Sequence, residues 1–174
     1  MAPKQIARHA VPQVRHGNEP RNRDSYGQSK GLSEPAFCVV CHSVYKHKRW
    51  YLETKMLRYQ MMVQSARETI CPACRKARDR FPGGVIVLTG PFLAENKNPI
   101  MHLVRNEEKR AKQVNPLEGI IAIKDFGHTL EIETTNEKFA QRIGKEIKRA
   151  FKGEIAYHWT HGDKFVRVEW HRET

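Results

Sequence analysis

Cys38-Val39-Val40-Cys41 and Cys71-Pro72-Ala73-Cys74 are the two segments that decide the fold of the first half of this 174-residue chain. Each places two thiolates on one tight turn, the arrangement that tetrahedral zinc requires. We therefore expect one structural Zn²⁺ held by Cys38, Cys41, Cys71 and Cys74. A closed shell of four sulfur ligands leaves no open position for water, which argues against catalysis by the metal.

The two cysteine pairs stand 29 residues apart, at positions 42–70. Compact zinc modules of this kind separate their pairs by roughly 15–20 residues. An additional hairpin or helical turn is therefore expected between them, and a helix is expected to begin near Cys71 or Cys74. The predicted unit is a zinc-ribbon or treble-clef-like module over residues 36–82.

The sequence around the first cysteine pair also fits three other interpretations. The stretch from Cys38 to His42 matches the C-x-x-C-H pattern of covalent haem attachment, but that chemistry requires export and leaves the second pair unexplained. A thioredoxin-like redox pair would follow a strand of a βαβ unit, which is not indicated here. His42 is also an alternative ligand in place of a cysteine.

The charge of the chain is concentrated around the cysteines. The whole sequence has a formal net charge of +12, which favours a polyanionic partner. Residues 1–35 hold six Lys/Arg and three Asp/Glu, a net of +3, and residues 83–174 hold fifteen and thirteen, a net of +2. Residues 36–82 hold ten and three, a net of +7. The zinc module is therefore the predicted nucleic-acid contact.

Cationic and aromatic side chains flank both cysteine pairs, and such residues can neutralise phosphates and stack on unpaired bases. The predicted contacts in the module are Lys46, Lys48, Arg49, Trp50, Arg75, Lys76, Arg78 and Arg80. For Trp50 and Tyr51 the alternative is that their rings cover the small zinc core.

Residues 1–35 contain four prolines and no apolar periodicity, so we expect a disordered basic tail. Its arginines could become ordered on a phosphate backbone, or the tail could be a solvated leader without a specific role. The predicted tail contacts are Arg8, Arg15, Arg21 and Arg23.

Residues 83–174 alternate between strand and helix patterns. An apolar run at 84–89 predicts a buried strand, and Phe139, Ile143 and Ile147 stand four apart, as on one helix face. Asn98 followed by Pro99 predicts the start of the first helix, and Thr135 or Asn136 is the predicted cap of the second.

The predicted order is βαββαβ with an extra C-terminal hairpin strand, which is a ferredoxin-like α+β domain with an antiparallel sheet and helices on one face. Trp159 and Trp170 are expected in its core, or as anchors of a protein interface.

Several function classes lack their signals. No P-loop, G-x-S-x-G or H-E-x-x-H motif is present, and His158, His161 and Asp163 near a predicted turn make only a weak acid–base candidate, so no enzyme is predicted. The sequence contains no run of about 18 apolar residues, so no membrane span is predicted. No secretory signal, lipidation motif or amphipathic basic helix is recognised, so we expect a cytoplasmic protein with no membrane contact.

Over roughly residues 36–170, the two cysteine pairs followed by Phe81-Pro82-Gly83-Gly84-Val85 and an α+β domain resemble a family of small bacterial zinc proteins of unassigned function. That family is similar to the zinc-binding part of the archaeal and eukaryotic large-subunit ribosome export adaptor. The resemblance implies binding to ribosomal RNA or the ribosome surface. The leading hypothesis is a non-enzymatic RNA-binding protein acting on the ribosome in stress, hibernation or assembly. The alternatives are a DNA-binding regulator and an RNA-processing or modifying enzyme.

Overall fold

The computed structural model describes Tyr26 and residues 32–53, 56–160 and 164–174. Within them the chain forms two sheets, each with its own buried cluster. The predicted α+β class, with a four-cysteine module preceding an α+β domain, is confirmed. Among the described residues, no helix has the length and apolar character needed to cross a bilayer.

The first unit is a four-stranded sheet with two short helices. Its elements are β1 (Ala36–Cys38), β2 (Val44–Lys46), β3 (Arg49–Tyr51), α1 (Met56–Val63), β4 (Arg67–Thr69) and α2 (Pro72–Arg78). The strand order is β3-β2-β1-β4, and only β1 and β4 run parallel. The β2–β3 hairpin and α1 are the additional structure that the long separation of the cysteine pairs predicts.

The second unit is a five-stranded sheet with two longer helices. Its elements are β5 (Gly84–Thr89), α3 (Pro91–Val114), β6 (Ile120–Asp125), β7 (Thr129–Thr134), α4 (Glu137–Phe151), β8 (Glu154–Trp159) and β9 (Val166–His171). Ile86, Leu88 and Ile132 on one face of the sheet share a core with residues of both helices. Within the described part of the chain, both helices of this unit pack on that face, so the predicted one-sided packing is observed.

The expected antiparallel sheet is wrong at one pair of strands. The order is β6-β7-β5-β9-β8, so the extra strand β9 lies inside the sheet and runs parallel to β5. Val166, Val168 and Trp170 of β9 are at most 1% exposed, whereas β8 carries exposed residues at alternate positions. The more apolar strand takes the doubly flanked position, and the more polar strand takes the edge.

The two helices differ in how well the sequence predicts them. Asn136 caps α4 by accepting a hydrogen bond from the Phe139 N–H at 2.8 Å, one of the two predicted caps. By contrast, α3 begins at Pro91 and not near the predicted cap, Asn98. It has non-helical backbone angles at Asn96, three residues before Pro99. A proline inside a helix removes one N–H bond and crowds the preceding turn, which accounts for the kink.

The two units contact one another through a short junction. Lys76 of α2 donates a hydrogen bond from Nζ to the carbonyl oxygen of Thr135 at 3.2 Å. Leu117 packs against the buried cluster of the first unit. A Cβ on Gly83 would lie 2.7 Å from Asn136 Cα, so the chain entering β5 requires glycine there. The junction therefore places α2 beside the start of α4.

Candidate metal centre

The four cysteines meet at one place. Their sulfur atoms all lie within 4.8 Å of one another, with Cys38 and Cys71 buried and Cys41 and Cys74 half-buried. The predicted ligand set is therefore assembled as a site that can bind a metal ion. Within the described part of the chain, this grouping contains the four cysteines and not His42, whose Nδ1 lies 3.5 Å from the Tyr59 hydroxyl.

The parallel pairing of β1 and β4 brings the two cysteine turns together. Cys38 is paired in register with Thr69, so the chain leaving each strand enters the same space. The first turn closes when the His42 N–H bonds the Cys38 carbonyl oxygen at 2.9 Å, with His42 at φ +60°. The second turn opens α2, where Cys71 is the N-cap and Pro72 occupies the first turn.

Backbone N–H groups point at the sulfur atoms. The N–H of Cys71 donates to Cys38 Sγ at 3.3 Å, and the N–H of Cys74 donates to Cys71 Sγ at 3.4 Å. Such donors stabilise thiolates, the form in which cysteine binds a metal. The Cys41–Cys71 sulfur separation is 3.6 Å, and a tetrahedral site with metal–sulfur bonds of about 2.3 Å needs about 3.8 Å. The residues therefore fit a tetrahedral metal ion.

Without a metal, the thiols share protons unevenly. Hydrogen bonds from Cys71, Cys74 and Ser43 hold the pKa of Cys41 far below its usual range. The hydrogen bond to Cys41 raises the pKa of Cys71 to about 12. Hydrogen bonds to Cys41 and Cys71 also raise the pKa of Cys74. The Cys41 thiolate is thus stabilised by hydrogen bonds from its neighbours. A cation that is coordinated by all four sulfurs must displace the protons of the remaining thiols.

The predicted cationic residues of the β2–β3 hairpin lie at the surface. Lys46, Lys48 and Arg49 are exposed around the turn. The turn N–H groups of His47 and Lys48 both donate to the Glu34 carboxylate, at 2.7 and 3.0 Å. Glu34 thereby holds the hairpin in place, and the three cationic side chains are presented on one rigid loop.

The cations of α2 are more engaged. Arg75 and Lys76 are half-buried, and the Lys76 ammonium lies 5.8 Å from the centre of the Tyr26 ring as well as against the Thr135 carbonyl. Arg78 pairs with Asp79 at 2.9 Å, although both are exposed. Arg80 follows the helix and is exposed. Of this group, Arg78 and Arg80 are therefore the most accessible to a partner.

Trp50 lies in the core of the module. It is 8% exposed, and its ring centre is 5.2 Å from that of Tyr45. This is the alternative left open by the sequence, and it leaves little of the indole to stack on a base. In the C-terminal domain, Trp170 is 1% exposed, as expected of a core residue, whereas Trp159 is 52% exposed and does not belong to the core.

Several predicted residues lie outside the described part of the chain. They are Arg8, Arg15, Arg21 and Arg23 of the predicted tail, and His161 and Asp163 of the weak acid–base candidate. Two described residues of the predicted tail, which covers positions 1–35, contact the module: the Tyr26 hydroxyl donates to Asp79 at 3.0 Å, and Leu32 packs on the buried cluster.

Sequence reasoning missed one feature of the cationic residues. Among the described residues, the non-glycine residues with positive φ are all of basic type, at φ between +50° and +60°: His42, His47, Lys48, Arg80 and Lys152. Glycine or asparagine adopts this conformation at lower cost than a long side chain does. No local sequence pattern reports the backbone angle, so this feature appears only in the structure.

A second missed feature is a hydroxyl–imidazole–carboxylate row at the ends of β5 and β9. Thr89 Oγ1 lies 3.0 Å from His171 Nδ1, and His171 Nε2 lies 2.9 Å from Glu173 Oε1. Thr89 Oγ1 also bonds the Trp170 carbonyl oxygen at 3.3 Å. These contacts engage the hydroxyl twice and both ring nitrogens, so the row ties the ends of β5 and β9 together.

Fold and site together define a chain with a four-cysteine metal-binding module packed on an α+β domain. Comparison of this chain with protein-family models, with curated proteins and with solved structures finds no match.

Proposed function

We propose that this chain is a non-enzymatic, zinc-stabilised RNA-binding protein that associates with the ribosome. The observation that carries the proposal is the presentation of exposed cations on a module held together by four clustered cysteines. Residues 36–82 carry a net +7, and Lys46, Lys48, Arg49 and Arg80 are exposed there. A surface of this kind attracts a phosphate backbone.

Zinc is the ion proposed for the site. Four thiolates form a soft donor set, and tetrahedral sulfur coordination is typical of Zn²⁺ or iron–sulfur sites. The two separate Cys-x-x-Cys turns and the absence of a fifth donor in the described grouping favour a single structural Zn²⁺. The ion would join β1 to α2 and so hold the hairpin cations in a fixed position relative to those of α2.

RNA is favoured over duplex DNA by the form of the cationic surface. A DNA regulator of the helix-in-groove type needs a helix that reads base edges with polar side chains. Here α2 has seven residues, and its Arg75 and Lys76 are half-buried at the junction. A short hairpin and a helix end that carry Lys and Arg suit contacts with phosphates of a folded RNA.

The ribosome is the proposed location of that RNA, on the resemblance of the cysteine pairs and the α+β domain to the zinc proteins named above. A cytoplasmic role in stress, hibernation or assembly follows from it. Trp159, at the edge of the sheet and 52% exposed, is the proposed anchor for contact with a protein.

The test is co-sedimentation of the purified chain with ribosomes from growing and starved cells over a range of salt concentrations. Phosphate contacts predict that binding weakens steeply as salt rises. Replacing Lys46, Lys48 and Arg49 by glutamine should reduce binding. The matched control replaces Lys97, Lys124 and Arg167, which all lie in the second unit. Each of them is ion-paired to a carboxylate of that same unit. Equal binding by both triple variants would overturn the assignment of the hairpin.

A further inference from the structure

The exposed residues of α4 are almost all cationic. Along the helix they are Lys138, Lys145, Lys148, Arg149 and Ala150, and exposed Lys152 follows at its C-cap. The two acidic residues, Glu137 and Glu146, are half-buried, and Glu146 pairs with Arg149. Residues 137–152 hold six Lys/Arg and two Glu, a net of +4. This helix is therefore an amphipathic basic helix, contrary to the sequence interpretation that none is present.

The charge of the C-terminal domain is thus segregated between its two sides. The helix-free face of the sheet bears Glu131, Glu133 and Glu169 around Lys124 and Arg167, and these charges pair with one another. In the described part of the chain, no ion pair is recorded for Lys138, Lys145 or Lys148. The near-neutral total of residues 83–174 therefore conceals a cationic helix surface opposite a balanced sheet surface.

The geometry of the helix aligns these cations. At 100° per residue, Lys138, Lys145, Lys148, Arg149 and Lys152 fall within an arc of about 100° on one side of α4. From Lys138 to Lys152 the row is about 21 Å long, at about 1.5 Å per residue. Phe139, Ile143 and Ile147 on the opposite side are fully buried in the core, so the row is mounted on a rigid support.

The row continues from the cations of the metal-binding module. Lys76 of α2 contacts the carbonyl of Thr135, the residue directly before the N-cap of α4. Gly83, at the end of the loop that contains Arg80, lies against Asn136. The basic end of α2 and the start of the lysine row are therefore neighbours in space, although about 60 residues apart in the chain.

We propose that the cationic face of α4 is a second RNA contact, which binds the phosphate backbone of an RNA duplex beside the metal-binding module. This inference rests on the proposed function. The exposed positions of α4 contain no aromatic side chain on which an unpaired base could stack, and single-strand binders use such platforms. A straight row of lysines instead matches duplex RNA, which proteins recognise by shape and phosphate contacts.

An anionic membrane is the other polyanion that a basic helix could meet. Interfacial helices bury their apolar side among the lipid chains. The apolar side of α4 is already occupied by the protein core, so the helix has no apolar face available for insertion. Duplex RNA, which needs only the cationic side, is the occupant that the structure favours.

The test uses the full chain, an RNA hairpin and vesicles that contain phosphatidylserine. The hairpin has a stem of about 20 base pairs, which is longer than the roughly 16 base pairs that known duplex-RNA modules span. The variant replaces Lys138, Lys145 and Lys148 by glutamine, and the control replaces Lys97, Lys124 and Arg167. Glutamine keeps the helix propensity of lysine, and a circular dichroism spectrum confirms the fold. We expect the slope of log affinity against log salt to fall in magnitude by about 2 to 3 for the α4 variant and to stay unchanged for the control.

The outcomes separate the two proposals. A wild-type chain that binds neither the hairpin nor ribosomal RNA overturns the proposed function and this inference with it. A wild-type chain that binds RNA, together with an α4 variant of unchanged affinity and salt slope, overturns the α4 contact alone. Loss of vesicle binding with unchanged hairpin binding assigns the face to a membrane and likewise overturns the RNA contact.

Discussion

The backbone N–H of Cys71 donates a hydrogen bond to the sulfur of Cys38 at 3.3 Å, across 33 positions of sequence. This contact exists because β1 and β4 run parallel and end side by side. It joins the two cysteine turns directly, so the metal site and the four-stranded sheet depend on one another.

Replacing Cys71 by serine should release about one metal ion per chain and unfold the module, because a structural site with three thiolates binds zinc far more weakly. Metal content by mass spectrometry and the circular dichroism spectrum measure the two effects. His42→Ala is the control, since His42 lies next to Cys41 but outside the sulfur cluster. A Cys71→Ser chain that keeps its full metal content would show that the four-cysteine site is wrongly assigned.

Replacing Arg80 by glycine should stabilise the chain while weakening RNA binding. Arg80 has φ +50°, where a side chain costs about 1–2 kcal/mol that glycine does not. Thermal unfolding and RNA titration of the same sample measure both quantities. Arg80→Ala is the matched control, because it removes the charge but keeps the Cβ, and should weaken binding without raising stability. Undiminished RNA affinity in both variants would remove Arg80 from the proposed contact.

Replacing Glu108 by glutamine should destabilise the chain at neutral pH and have less effect in acid. Burial raises the pKa of Glu108, but the hydrogen bond from the Ile120 N–H and the contacts with Lys112 and Arg105 together lower it below its usual range. A carboxyl with a lowered folded-state pKa contributes stability above its unfolded pKa, and that contribution is lost as pH falls through the folded value.

Urea unfolding of wild type and Glu108→Gln at neutral pH and at about pH 3, below the unfolded pKa of roughly 4.3, measures this difference. We expect a loss of about 1.5–3 kcal/mol at neutral pH, the range for hydrogen bonds to charged groups, and a smaller loss in acid. Glu95→Gln, at an exposed position of the same helix, is the control. A difference that stayed constant with pH would mean that the charge of Glu108 does not stabilise the α3–β6 contact.

Replacing Gly144 by alanine should destabilise the C-terminal domain. A Cβ there would lie 2.7 Å from Val168 Cγ1 and 3.1 Å from Ile155 Cδ1, so these buried side chains or the helix itself would have to shift. Overpacking of this kind costs about 1–3 kcal/mol, and chemical denaturation measures it. Ala150→Gly, at an exposed position of the same helix, tests helix propensity alone. A Gly144→Ala chain of wild-type stability would show that the helix and sheet are less closely packed than described.

The parts of the fold that were predictable are those with local signals. The two Cys-x-x-Cys turns identify the sulfur cluster, and the Asn136 cap with Phe139, Ile143 and Ile147 identifies α4. Each of these signals, a cysteine turn or a cap with its helix periodicity, lies within one short segment of the chain. The start of α3 was missed because Asn98 and Pro99 resemble a helix start, whereas Pro91 begins the helix and the later proline lies beyond a kink.

The sequence by itself determined the donor set of the metal site, the order of helices and strands in residues 83–174, and the concentration of charge in residues 36–82. Tertiary structure decided the strand order, the burial of Trp50 and the side of the domain on which the cations of α4 lie. The reason is that ligand spacing and periodicity are properties of neighbouring residues. The position of β9 instead depends on competition with β8 for burial, and the cationic face of α4 depends on which of its sides the core covers.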